Sequence, residues 1–201
     1  MKIKSIISKA MLARTASRTK SAPLSLPLEF SGKSLLVLLP DEQRELTVVK
    51  QILPDITAIF GTENVYLLSS LGMQIESIFP SKGFRYISTG RSAIKWTGLP
   101  SRPFLDKLRK YRFDYIFDTN LSENVFASRI LLEFPRAVRF GNGGYLGTPY
   151  LNLEIKTKFL RDRRQIYRSI LEVLARLACK IDHPDRNPDN VSRSNGVPEK
   201  A

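Results

Sequence analysis

Apolar runs of four to eight residues recur through the middle of this chain, each followed by a stretch whose apolar positions repeat at helical spacing. The runs are Ser34 to Leu39 (SLLVLL), Val65 to Ser69, Phe84 to Ser88, Phe113 to Asn120 (FDYIFDTN) and Ala137 to Phe140. Runs this short read as strands, and a strand apolar on both faces belongs inside a sheet that is covered on both sides. The helical stretches are Asp41 to Phe60, Met73 to Phe79, Ser101 to Tyr111, Glu123 to Phe134 and Arg161 to Ile181. The last has Ile166, Ile170, Val173, Leu174 and Leu177 on one stripe. Asp41 and Glu42 stand where the positive end of a helix dipole favours acids. Pro54 is expected to kink or split its helix.

The repeating strand and helix, about 25 residues long, predicts a parallel α/β sheet with right-handed crossovers. The fold class is a single Rossmann-like α/β domain over residues 34–182, with five parallel strands and helices on both faces. FDYIFDTN is its central strand, and its carboxyl end opens on the crevice where such sheets bind ligands. Gly141 to Gly147 (GNGGYLG) is expected to be a loop of residues that tolerate positive φ. Tyr150 to Ile155 reads as a short edge strand outside the main five.

Residues 1–33 form a separate leading region. Its first 28 residues hold six cations, Lys2, Lys4, Lys9, Arg14, Arg18 and Lys20, and no acid. Ile3, Ile6, Ile7 and Ala10 fall on one face of a helix running from Met1 to about Arg14. Three readings fit: a basic amphipathic helix docked on the domain or lying on a membrane surface, a mitochondrial transit peptide, or a solvated tail. Ala22 to Pro27 (APLSLP) is expected to be a linker, because two prolines four residues apart, Pro23 and Pro27, break both helix and ladder. Residues 183–201, dominated by Pro, Asn, Asp, Ser and Gly, are expected to be disordered.

Composition narrows the chemistry. The net charge of +13 attracts phosphates, anionic sugars, nucleic acid or an anionic membrane surface. A single cysteine, Cys179, excludes an internal disulfide and reads as a packed small hydrophobe. With one histidine, His183, in a polar tail, no cluster has metal-ligand spacing and no Ser/His/Asp triad can form. No stretch has the ~20 apolar residues of a membrane span, so a cytoplasmic protein, peripheral at most on the inner membrane face, is expected. After the first strand the chain reads Pro40-Asp41-Glu42-Gln43, which lacks the glycines that cradle phosphates, and no cofactor is expected.

Two sets of residues face the expected crevice. Asp41, Glu42 and Asp118, with Asn120 beside the last, are candidates for a general base acting on a hydroxyl acceptor. The structural alternative has Asp41 or Glu42 capping a helix and Asp118 accepting loop N–H bonds. Arg91, Lys95, Trp96 and Arg102 surround the long loop after the third strand, and Arg139 flanks the fifth. If that loop folds over the crevice, they offer cations and an aromatic face to an anionic or sugar ligand. A second basic run, Lys158, Arg161, Arg163, Arg164 and Arg168, opens the last helix against its dipole, which favours a phosphate or nucleic-acid partner there.

These residues also carry a resemblance. Ser34 to about Leu177 resembles the N-terminal half of the family 9 glycosyltransferases, the bacterial heptosyltransferase-like enzymes of lipopolysaccharide synthesis. It is clearest in YRFDYIFDTN (111–120), in the small-residue helix VFASRILLEF, and in RAVRFG (136–141). Thr47 to Leu53 followed by Pro54-Asp55 is similar to the family's first helix. The resemblance implies half of a GT-B fold, in which the first half binds the acceptor and the second the sugar nucleotide. It further implies an anionic glycan or lipid-linked acceptor, a donor domain supplied by a partner protein, and a half that is inactive alone. The family's glycine-aspartate turn, whose aspartate is the base, is replaced here by Asp41-Glu42-Gln43-Arg44. A weaker similarity is to stand-alone bacterial Rossmann-like domains. The competing expectation is a non-catalytic basic module that binds nucleic acid, or anionic lipid through residues 1–20.

Overall fold

The computed structural model describes residues 2–70, 75–79, 83–159 and 161–178. The apolar runs form β1 (Leu35–Leu38), β2 (Val65–Leu68), β3 (Arg85–Ile87), β4 (Tyr115–Asp118) and β5 (Val138–Asn142). A further strand, β6 (Leu153–Ile155), pairs parallel with β5 through Phe140 and Leu153. The sheet therefore has six strands, not five, in the order β3-β2-β1-β4-β5-β6, every pair parallel. This is the Rossmann-like order. The expected edge strand is a full member of the sheet because Asn152 fastens it. The Asn152 side chain accepts from the Arg139 amide at 2.7 Å, and its own amide donates to the Arg139 carbonyl at 3.0 Å.

The helices are α1 (Lys2–Ala16), α2 (Gln43–Phe60), α3 (Ile75–Ile78), α4 (Arg102–Leu108), α5 (Val125–Leu131) and α6 (Arg163–Ala178). Alternate strand residues feed two cores. Leu35, Val37, Tyr115, Phe117 and Phe140 pack under α2 and α6. Leu36, Leu38 and Ile116 pack on the other face with Phe104, Leu108, Phe126 and Ile130 of α4 and α5. Cys179, His183 and the tail lie outside the described residues.

One expectation is corrected and two are sharpened. Pro54 does not split α2, which is one helix from Gln43 to Phe60. A proline inside a helix costs about 3 kcal/mol, whereas burying Leu53 and Ile56 beside it gains roughly 1.5–3 kcal/mol each. Pro54 itself is exposed, so the carbonyl that loses its partner faces solvent. The Ala22 to Pro27 linker is anchored at both ends, with Ala22 donating to the Pro135 carbonyl at 3.0 Å and Leu28 to the Leu177 carbonyl at 2.9 Å. The third concerns GNGGYLG. Its first two residues belong to β5, and the only glycines with positive φ among the described residues are Gly32, Gly61, Gly83 and Gly98. Close approach is what requires Gly141, since a Cβ there would lie 2.8 Å from the Asp118 carbonyl oxygen and 3.3 Å from the Asp118 Cβ.

The leading segment packs as an outer layer. α1 rests on α5, with Leu12 buried against Leu99 and Leu132 and Lys9 paired to Glu123 at 2.8 Å. The stripe Ile3, Ile6, Ile7 and Ala10 is not the docking face: Ile3 is 72% and Ile6 65% exposed.

Gly141→Ala is expected to destabilise the fold by about 1–3 kcal/mol, because neither the strand backbone nor the Asp118 carbonyl has room to yield. For a chain of this length that lowers Tm by roughly 2–12 °C, which a thermal melt followed by circular dichroism reads directly. An unchanged Tm would show that β4 and β5 are not in the register described.

Candidate functional site

The order in which strands are added reverses between the parallel neighbours β1 and β4, so the segments leaving their carboxyl ends diverge and open a crevice. Backbone and side-chain bonds fix this edge. The Thr119 amide and hydroxyl both donate to the Leu38 carbonyl, at 3.2 and 2.7 Å, and the buried Tyr167 hydroxyl of α6 donates to the Thr119 carbonyl at 2.6 Å.

Asp118 is the hub of this edge rather than an open base. It is 2% exposed. Its Oδ1 accepts from the Asn120 amide (3.1 Å) and the Asn120 side chain (2.6 Å), and its Oδ2 from the Tyr145 hydroxyl (2.7 Å). Asn120, 3% exposed, is likewise absorbed into the network instead of facing a ligand. Its Oδ1 accepts from Asn124 at 2.9 Å, and Asn124 also donates to the Asp41 carboxylate at 3.2 Å. The Asn124 Oδ1 meanwhile caps α5 by accepting from the Phe126 and Ala127 amides. Burial pushes the Asp118 carboxyl above the ordinary aspartate range, against the pull of the donors from Asn120 and Tyr145. Burial and the neighbouring Asp118 charge push the Tyr145 hydroxyl far up, so it stays a donor.

Asp41 and Glu42 remain exposed at the rim. Glu42 occupies the N-cap position of α2 yet makes no capping bond with its side chain, and its carboxylate turns instead to Arg163 at 3.3 Å. Asp41 bonds Ser70 and Asn124. A cavity of about 560 Å³ lies on the α6 side of this rim. Glu42, Glu45, Asn142, Thr157, Arg161 and Arg163 give it its polar wall. Glu45 is the buried acid of the wall: 4% exposed, 3.5 Å from Arg163, and pushed above the ordinary glutamate range by burial, with Arg163 opposing the rise and Glu42 adding to it. The arginines that open α6 against its dipole thus face these acids.

The expected loop cations do not join this cavity. Lys95 and Arg102 line a separate cavity of about 340 Å³ with Met11 and Thr15 of α1 and with Arg109 and Arg129. Trp96 is 64% exposed. Arg91 begins a short 3-10 turn in the same loop. Arg139 points into the protein: its guanidinium is fully buried, donating to the Leu131 carbonyl at 3.0 Å and to the Ser21 hydroxyl, and burial lowers its pKa to about 10. It clamps the leading segment against α5. The predicted set is therefore divided among the crevice rim, the α1 cavity and the interior, and the basic residues of α1 and α6 lie on opposite faces of the sheet.

Sequence reasoning missed Glu45, Asn124, Tyr145 and Tyr167. Glu45 carried a readable signal, since with Val49, Ile52 and Ile56 it completes a helical stripe that is otherwise apolar. Asn124 precedes the helix as an N-cap residue should. Tyr145 and Tyr167 had no local signal, because their partners lie 27 and 48 positions away.

A raised folded-state pKa means that the folded protein holds the Asp118 proton at pH values where the unfolded chain has lost it. This contribution to stability is complete at acidic pH and is lost as the pH rises from the ordinary aspartate value through the raised one. Denaturation midpoints measured from acidic to neutral pH should decline less for Asp118→Asn than for the unaltered chain. Parallel declines would contradict the assignment.

No protein-family model matches this chain, and no curated protein does. Among solved structures it is similar to the E. coli heptosyltransferase WaaC with ADP: 14% identity, a TM-score of 0.54, and coverage of 70% of this chain and 46% of that one. The chain thus spans just under half the length of that enzyme. At this identity the likeness concerns the backbone: the six-stranded sheet and its helices form a Rossmann-like α/β fold.

Proposed function

We propose that residues 34–178 form the acceptor-binding half of a glycosyltransferase resembling the heptosyltransferases. The observation that carries this reading is the 560 Å³ cavity at the switch point of the sheet, which combines a buried carboxylate, Glu45, with Arg161 and Arg163. Arginine forks match a sugar phosphate or carboxylate, so the ligand class is an anionic glycan, free or lipid-linked. The sugar nucleotide would be held by a second Rossmann-like unit closing over the crevice, on this polypeptide or on a partner protein. Without it, these residues bind acceptor and do not turn it over.

In the reaction, an acceptor hydroxyl loses its proton to a carboxylate at the rim as its oxygen bonds to the anomeric carbon of the donor. The bond from that carbon to the nucleoside diphosphate breaks, and the diphosphate leaves with the electron pair. Glu45 is the best-suited base of the described residues, because its raised pKa brings it nearer to working pH. Glu42 and Asp41 stand at the rim where the acceptor would enter. Asp118 holds the floor.

Calorimetric titration with a phosphorylated lipopolysaccharide-core oligosaccharide tests the proposal. Arg163→Ala is expected to weaken binding by about tenfold or more, the loss of one charge-assisted contact. Glu45→Gln should retain binding but abolish transfer once a donor-binding unit is supplied. Equal affinity for the dephosphorylated oligosaccharide, or unchanged binding by an Arg163→Ala protein of normal Tm, would sink the acceptor assignment.

A further inference from the structure

Five large hydrophobic side chains are exposed among the described residues: Ile3, Ile6, Met11, Leu26 and Trp96. Three lie on α1. Taking 100° per residue around that helix, Ser8 and Leu12 point at the protein, while Ile3, Ile6, Ile7, Ala10 and Ala13 spread over the opposite side. The helix is therefore apolar on two faces, one buried against α5 and one bare. Cations accompany the bare face. Arg14 lies within it between Ile3 and Ile7, Lys4 lies beyond Ile7 on the side of Met11, and Lys95 and Arg102 line a cavity that Met11 also lines. None of these four is ion-paired among the described residues, whereas Lys9 pairs with Glu123. The first acid in the sequence is Glu29.

We propose that the outer face of α1 docks this protein on an anionic phospholipid bilayer, with Ile3 and Ile6 entering the interface and Lys4, Arg14, Lys95 and Arg102 meeting lipid phosphates. Aliphatic side chains bordered by unpaired cations complement a surface that is apolar beneath and anionic on top. A second copy of the chain would set cations against cations, each copy carrying a net charge of +13. A nucleic acid would offer the isoleucines nothing to enter. The inference is independent of the acceptor cavity, which no residue of α1 lines.

Co-sedimentation with vesicles of phosphatidylcholine, with and without phosphatidylglycerol, tests the docking. Binding is expected to the mixed vesicles, to weaken as salt rises, and to fall roughly tenfold or more in the Ile3→Asp/Ile6→Asp double variant. Both positions are exposed, so that variant should keep its Tm and its oligosaccharide affinity. Lys95→Glu/Arg102→Glu should weaken binding to mixed vesicles while leaving the Tm unchanged. Trp96 is the only tryptophan, and its emission should shift to the blue with mixed vesicles. No sedimentation with mixed vesicles at low salt, or equal sedimentation of the Ile3→Asp/Ile6→Asp variant, would overturn the proposal. So would a change of oligomeric state in that variant without a change in vesicle binding. Loss of oligosaccharide binding with vesicle binding intact would count against the acceptor site alone.

Discussion

A carboxylate removed from water must find donors, and the folding of the whole carboxyl edge follows from how Asp118 finds them. Three donors from Asn120 and Tyr145 converge on its two oxygens. An unpaired acid in this position would cost several kcal/mol in solvation. Meeting that demand turns the chain sharply after β4, draws the loop after β5 back over the strand ends, and requires a residue without Cβ at position 141. Asn124 then passes the constraint to Asp41 on the neighbouring loop while capping α5. The crevice has a rigid floor because its buried polar groups are satisfied by one another, while Asp41 and Glu42 stay exposed at its rim.

The rim is where charge collects. Glu42 is in place to cap α2 and does not, and its carboxylate reaches Arg163 of α6 instead, with Glu45 3.5 Å from the same guanidinium. This forgoes local stabilisation at the start of α2, worth about 1 kcal/mol for a cap, for a contact across the cavity, while α6 keeps its own cap, the Asp162 carboxylate accepting from the Gln165 amide at 3.1 Å. Departures of this kind from local rules concentrate where proteins bind and react.

Much of the fold was legible in the sequence because its signal is local. Strands apolar on both faces, spaced by one helix, admit few arrangements other than a covered parallel sheet. β6 was harder to weigh, since three residues make a weak pattern and its place depends on Asn152 bonding across to β5. The site was less legible. Asp118 and Arg139 were identifiable as unusual polar residues in apolar strands, but burial separates a structural ion from a binding one, and burial is set by distant partners such as Ser21 and Tyr145. The direction of the α1 stripe was illegible for the same reason, because Leu12 has partners only at Leu99 and Leu132.

The seam between β1 and β4 is the centre of the sheet, and its paired residues, such as Leu35 and Tyr115, are about 80 positions apart. Leu35 and Val65, paired on the other side of β1, are 30 apart. Closing the longer loop costs only about 1 kcal/mol more in chain entropy, so the seam is hardly weaker than its neighbours once formed. The difference falls on the rate, since a contact that waits for a long search forms after those that do not. On this ground the chain's middle is expected to assemble as two half-sheets, β1 to β3 and β4 to β6. The crevice comes into being only when they join, with the bonds from Thr119 to Leu38 stitched across the join and Tyr167 closing over it.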